Sequence, residues 1–232
     1  MTSETTQIQD CAGATVRVAP KILRKPSSLE DKLLTVYQRL EALDDRPHGR
    51  VIEFVPVNPG AATSALLCWY AQLASRRLGR RILLLACDAN SKAMDLAPSK
   101  PASWEDAIQE GKSIDERLVR VGDGSLAVGL LARTREAFHA AVASPNLQAV
   151  LANLRHEYDC IIIEAPRVVD SSGAVLLAPL TDGVVFVVET EKTRWQSLEH
   201  EIDQMKAQGA KILGVILNRR KYYIPRFVYD RL

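Results

Sequence analysis

Six short runs of apolar residues punctuate the chain, at 51–55, 82–87, 126–131, 160–163, 184–188 and 212–217. Between them lie stretches whose apolar residues recur at three- and four-residue steps, at 64–76, 103–110, 134–156, 171–178 and 194–208. A short run that is apolar throughout, rather than alternating, predicts a strand covered on both faces. The three- and four-step stretches predict amphipathic helices. Strand and helix in alternation predict a three-layer α/β fold, a mainly parallel central sheet flanked by helices. Ahead of the first run, Leu29, Leu33, Val36, Leu40 and Leu43 share one helical face, and Ser28 is placed to cap that helix. Residues 1–28 are polar and aperiodic, with Pro20 and Pro26, and predict a flexible N-terminal arm. No linker-like stretch follows residue 50, so residues 29–232 read as a single domain.

Composition narrows the functional classes. The chain has 232 residues, 47% hydrophobic and 25% charged, with a formal net charge of +2. That is an ordinary globular balance, with no global attraction to nucleic acid. No apolar run is long enough to span a bilayer, and the first residues lack a basic start followed by an apolar core. The expected location is therefore the cytoplasm. Cys11, Cys68, Cys87 and Cys160 share no metal-ligand spacing. Cys87 and Cys160 sit in apolar runs and are expected to be buried thiols.

In a parallel sheet, ligands bind where strands end and helices begin. Three such ends carry candidate chemistry. The first is Val57-Asn58-Pro59-Gly60-Ala61-Ala62-Thr63-Ser64, between an apolar run and a helical stretch. That is the setting of a phosphate loop, which needs small residues, a lysine on the phosphates and a hydroxyl on magnesium. Gly60 and Ser64 suit those roles, whereas Thr63 stands in the lysine position and Ala62 in that of the second glycine. The second end carries Asp88. It is a candidate for magnesium through water, and equally a cap for the next turn. The third end carries Glu164, a strand-end acid of the kind that holds magnesium. Against that stands its reading as a partly buried acid paired with an arginine.

Several longer stretches carry a resemblance. They are Ala143-Ser144-Pro145-Asn146-Leu147, the run from Arg155 to Pro166, the run from Leu176 to Val184, Lys192-Thr193-Arg194, and Gly214-Val215-Ile216-Leu217-Asn218-Arg219. With the ending Tyr222-Tyr223-Ile224-Pro225-Arg226-Phe227-Val228-Tyr229, they resemble the cytoplasmic catalytic domain of bacterial tyrosine kinases (BY-kinases). Those kinases serve capsule and exopolysaccharide systems and are related to MinD and ParA. The resemblance covers roughly residues 30 to 232. It implies a P-loop fold, ATP or ADP with Mg2+ as ligands, and an inner-membrane chain-length-determinant or co-polymerase protein as partner. Self-association is a further implied contact, and a place at the inner membrane would come through the partner. It implies a nucleotide loop over Gly60, Ala61, Ala62, Thr63, Ser64 and Ala65, with Asn218 and Arg219 on the base side. Ser64, Asp88 and Glu164 take the metal positions, and Tyr222, Tyr223 and Tyr229 take those of the autophosphorylated tyrosines. Against that stands a reading in which Ile224, Phe227 and Val228 dock on the domain or a partner with the tyrosines at the rim, the preferred one for Tyr229. The basic end, with Arg219, Arg220, Lys221, Arg226 and Arg231, is equally suited to an anionic membrane surface or an acidic partner.

The departures fall on the chemistry. The family's loop ends Gly-Glu-Gly-Lys-Ser/Thr-Thr, where this chain has Gly60-Ala61-Ala62-Thr63-Ser64-Ala65. The family's Asp-x-Asp is Ala86-Cys87-Asp88, and its Walker B aspartate is Glu164. The family's assembly pattern of one glutamate and two arginines is not recognisable around residues 35–41. Phosphoryl transfer rests on positioning and charge stabilisation, and losing one preorganised charge partner costs about 3–4 kcal/mol of barrier. The expectation is a pseudokinase of exopolysaccharide export. The alternatives are an atypical ATPase or autokinase, with Arg167 as a substitute for the lysine, and a ParA/MinD-like positioning protein.

Overall fold

The structure, a computed structural model, describes residues 29–42, 49–59, 62–189, 193 and 195–218. The expectations for the arm, the Ser28 cap and Cys11 lie outside these residues.

Among these residues seven strands form one sheet: β1 (Arg50–Pro56), β2 (Ile82–Ala86), β3 (Val119–Val121), β4 (Leu126–Leu130), β5 (Cys160–Glu164), β6 (Gly183–Glu189) and β7 (Ile212–Asn218). Their order is β3-β4-β2-β5-β1-β6-β7. Every pairing is parallel except β3 with β4. All six runs predicted as strands are strands, but β7 ends the sheet among the described residues and none of its residues is buried, so it is not covered on both faces as expected. β3 escaped because it has three residues, none of them buried, and so leaves no apolar run. It turns back onto β4 through Gly122 and Gly124, both at positive φ.

The helices are α1 (Leu29–Ala42), α2 (Thr63–Leu78), α3 (Glu105–Glu110), α4 (Arg135–Ala143), α5 (Pro145–Glu157), α6 (Ser172–Leu177) and α7 (Trp195–Ala207). The single helix expected over 134–156 is two. Pro145 has no N–H to donate, and it drives Ser144 out of the helical region. Ser144 is extended, with φ −74° and ψ 130°, and its hydroxyl accepts from the Asn146 amide to start α5.

Two apolar layers cover the sheet. On one face, Leu33 and Leu40 of α1 and Leu67, Ala71 and Ala74 of α2 pack on Ile52, Phe54, Ile82, Leu84 and Ile162. On the other, α3–α6 cover Val51, Leu83, Leu85, Ile161 and Ile163, and α6 and α7 cover Val55, Val184, Phe186 and Val188. A paired charge pins the bottom of the sheet. Arg155 of α5 grips Asp182 with both guanidinium NH2 groups, and Asp182 also accepts from the Val51 amide at 2.7 Å.

Glu53 breaks the pattern. It lies in the middle of β1, is 0% exposed, and neither carboxyl oxygen has a hydrogen-bond partner. Burial without a partner holds its carboxyl well above the usual glutamate range.

Candidate functional site

The order β2-β5-β1 brings all three candidate strand ends side by side. Ala86, Glu164 and Phe54 stand in one register row at the carboxyl edge. β2 lies beyond β5 from β1, whereas β6 lies on the other side of β1. The chain therefore departs in opposite directions from this point, which is where open α/β sheets place their ligands.

α2 starts at Thr63, directly after the loop. Ala62, its N-cap residue, has φ 51° and ψ 40°, left-handed backbone that a Cβ disfavours. No side chain caps the helix, and its first turn carries no acid. Thr63, in the lysine position, is 5% exposed, and its buried hydroxyl has no partner among the described residues. The Ser64 hydroxyl donates to Glu164 Oε1. Ala65 follows in the same turn, half-buried. Gly60, Ala61, Arg219 and the three candidate tyrosines lie outside the described residues.

Glu164 is partnered by hydroxyls, and its expected pairing with an arginine is absent among the described residues. Oε1 takes the Ser64 hydroxyl, and Oε2 takes the Ser91 hydroxyl at 2.5 Å. Burial raises its pKa, the two hydroxyl bonds pull it back, and the charge of Asp88 adds to the rise. Ser91 was not singled out from sequence. It is 7% exposed and also caps the 3₁₀ turn Lys92–Asp95 by accepting from the Ala93 amide at 3.0 Å. The available signal was a serine two residues ahead of that turn's first inward residue, a capping pattern.

Asp88 is exposed, and its Oδ1 accepts from the Asn90 amide at 2.8 Å and the Asn90 side chain at 3.0 Å. It braces its own loop, while Ser91 does the capping. The oxygen donors here, Ser64 and Glu164 with Asp88 nearby in the electrostatics, are of the kind magnesium takes. Among the described residues no cluster of three or more His, Cys, Asp or Glu is arranged to hold a metal ion. Arg167, the candidate substitute for the lysine, forms a bidentate pair with Asp170 three residues on, at 2.5 and 2.9 Å.

The other side of the loop is tied to β6. The Asn58 side chain accepts from the Glu189 amide at 3.0 Å and from the Thr193 hydroxyl at 3.1 Å. Its amide donates to Glu189 Oε2 at 3.4 Å. Asn218 stands in register with Glu189 on β7, so it ends the same row.

No family model matches the sequence. Over 182 residues the chain is 25% identical to the succinoglycan biosynthesis transport protein ExoP of Rhizobium meliloti, covering 73% of this chain and 22% of ExoP. Over 84 residues it is 31% identical to the tyrosine-protein kinase CpsD of Streptococcus agalactiae, covering 32% of this chain and 37% of CpsD. The matches thus span well under half the length of these relatives. Among solved structures, the kinase domain of the Escherichia coli tyrosine kinase ETK superposes with a TM-score of 0.70 at 11% identity, over 84% of this chain and 79% of that one. MinD of Aquifex aeolicus superposes at 0.55 and 19% identity, over 78% and 72%. Among the described residues no helix is long and apolar enough to cross a membrane. The chain is thus a relative of ExoP and of the CpsD tyrosine kinases, with the P-loop fold of bacterial tyrosine-kinase domains and of MinD.

Proposed function

We propose that this chain is a catalytically degenerate member of the bacterial tyrosine-kinase group, acting as a cytoplasmic partner or regulator in exopolysaccharide export. The observation that carries the reading is Thr63. The head of α2 presents a short side chain with an inward, buried hydroxyl where the family aims an ammonium at the phosphates. The remaining site residues are engaged with one another. Ser64 and Ser91 occupy both oxygens of Glu164, and Asp88 is turned onto Asn90. A metal entering here would have to displace the Ser64–Glu164 bond. The relatives' part in polysaccharide transport supports placing the chain in that pathway. Its partner on this reading is an inner-membrane co-polymerase protein, through which it sits at the membrane.

Isothermal calorimetry with Mg-ATP and Mg-ADP tests the site, with Ser64→Ala as control. The reading expects no turnover, and no phosphate on Tyr222, Tyr223 or Tyr229 after incubation of pure protein with Mg-ATP. Phosphate on any of these tyrosines would sink it.

A second reading, an atypical ATPase or tyrosine autokinase, has its own support. Ser64 and Glu164 keep oxygen donors together at the head of α2. In that case Ser64→Ala abolishes micromolar nucleotide binding. Arg167→Ala then lowers turnover only if Arg167 leaves Asp170 to reach the phosphates.

A further inference from the structure

α7 covers only part of the sheet face on which it packs. Beneath it, Val184, Phe186 and Val188 of β6 are buried together with Leu198 and Met205. β7 lies one strand further out. Its pairing with β6 shifts by one residue between Val184 and Val185. The shift sets Val215 beside Phe186 and Leu217 beside Val188. Residues in register on neighbouring strands share a face, so these two side chains extend the buried apolar rows. Yet Val215 is 38% exposed, Leu217 57% and Trp195, at the start of α7, 65%. With Val188, Glu189, Thr193 and Leu198 they line a groove of about 390 Å³. Three large apolar side chains grouped in one groove mark an interaction surface.

We propose that this groove is the docking site for residues 219–232 of the same chain. Position favours it. β7 ends at Asn218, one residue past the groove wall at Leu217, so the segment starts at the groove. Ten extended residues reach roughly 33 Å, more than enough to fold back over α7. Composition favours it too. Tyr222, Tyr223, Ile224, Phe227 and Val228 supply apolar and aromatic side chains suited to such a groove. Charge agrees. The segment carries Arg219, Arg220, Lys221, Arg226 and Arg231 against the single acid Asp230. The exposed side of α7 carries Glu199 and Asp203, with His200 and Lys206.

Docking there covers Trp195 and sets the segment against Thr193, which is bonded to Asn58 in the loop ahead of α2.

Trp195 reports the docking directly. Trp104 is buried and Trp69 half-buried, so the Trp195 emission is isolated as the difference between the chain and its Trp195→Phe variant. In the full chain this difference emission is expected to be blue-shifted and shielded from acrylamide. In a chain stopped after Asn218 it is expected to move to the red, with quenching raised severalfold. The full-length double variant Ile224→Glu/Phe227→Glu should match the shortened chain. A synthetic peptide of residues 219–232 added to the shortened chain should restore the blue shift saturably. Equal quenching in full and shortened chains overturns the proposal. A blue shift lost on dilution assigns the groove to a second copy. Exposure of Trp195 on removing residues 1–28, but not 219–232, assigns it to the N-terminal segment. Either of those results overturns the proposal as well.

Discussion

Glu53 sits where a strand passes through the core, and its carboxyl should oppose folding more strongly as the pH rises. Neither oxygen has a partner, and burial holds the pKa well above the ordinary 4.5. The native state therefore keeps a proton that the unfolded chain releases above about pH 4.5. Native protein binding the extra proton means that stability falls with rising pH, by about 1.4 kcal/mol per pH unit. This part of the cost grows as the pH rises from the unfolded pKa towards the raised native one. A neutral carboxyl buried with no hydrogen bond adds about 1–3 kcal/mol at any pH. Glu53→Met keeps the length of the side chain and removes both contributions. It is expected to stabilise the fold by about 1–3 kcal/mol below pH 4, and by progressively more as the pH rises towards neutrality. The assay is urea unfolding of both proteins across that pH range, plotted as their difference, so that all other titrating groups cancel. Parallel pH profiles, or a methionine variant less stable than the parent, would refute the reasoning. Either result would mean that the carboxylate finds water or a partner inside the fold.

Further expectations concern other residues. Glu201 of α7 is 3% exposed with one oxygen unpartnered. Burial lifts its carboxyl to about 7, the Arg167 charge partly offsets the rise, and Asp170 adds to it. The native state again holds the extra proton, so stability should fall between about pH 4.5 and pH 7 and level off above. Glu201→Gln should flatten that stretch of the thermal-melting profile; an unchanged profile counts against it. Ala62→Gly relieves the left-handed alanine ahead of α2 and should raise stability by about 1 kcal/mol in chemical denaturation, whereas a loss would mean that the strain is not there. Asp182→Ala takes away the acceptor of the Val51 amide and the carboxylate of Arg155, which keeps its bond to the Gly49 carbonyl. It should cost about 3 kcal/mol or more, and a loss below about 1 kcal/mol would show that water replaces the carboxylate.

Much of this architecture was legible because burial leaves a direct trace in the sequence. A parallel strand covered on both faces is apolar nearly throughout, so β2, β4, β5 and β6 showed themselves as runs, as did β1 around Glu53 and β7 although none of its residues is fully buried. β3 did not, since a three-residue edge strand needs no apolar core. The break between α4 and α5 was written in Ser144-Pro145, but the surrounding three- and four-residue pattern ran through it. At the candidate site, Ser64, Asp88 and Glu164 could be named from their places after strands. Ser91 could not, because its role depends on where a loop after β2 falls relative to the end of β5.

The sequence by itself determined the alternation of strand and helix, the residues at the strand ends, and the replacement of lysine by Thr63. Those are local facts, carried by periodicity and position along the chain. Only the tertiary structure decided what the strand ends do to one another. The order β2-β5-β1 sets Ser64 and Ser91, 27 positions apart in the chain, on the two oxygens of one carboxylate. It also decided that Glu53 has no partner among the described residues, that Arg167 belongs to Asp170, and that a one-residue shift on β7 sets Val215 and Leu217 on the α7 face, in one groove with Trp195. Each of these depends on strand order and register, which pair residues far apart in the chain and leave no periodic signal along it.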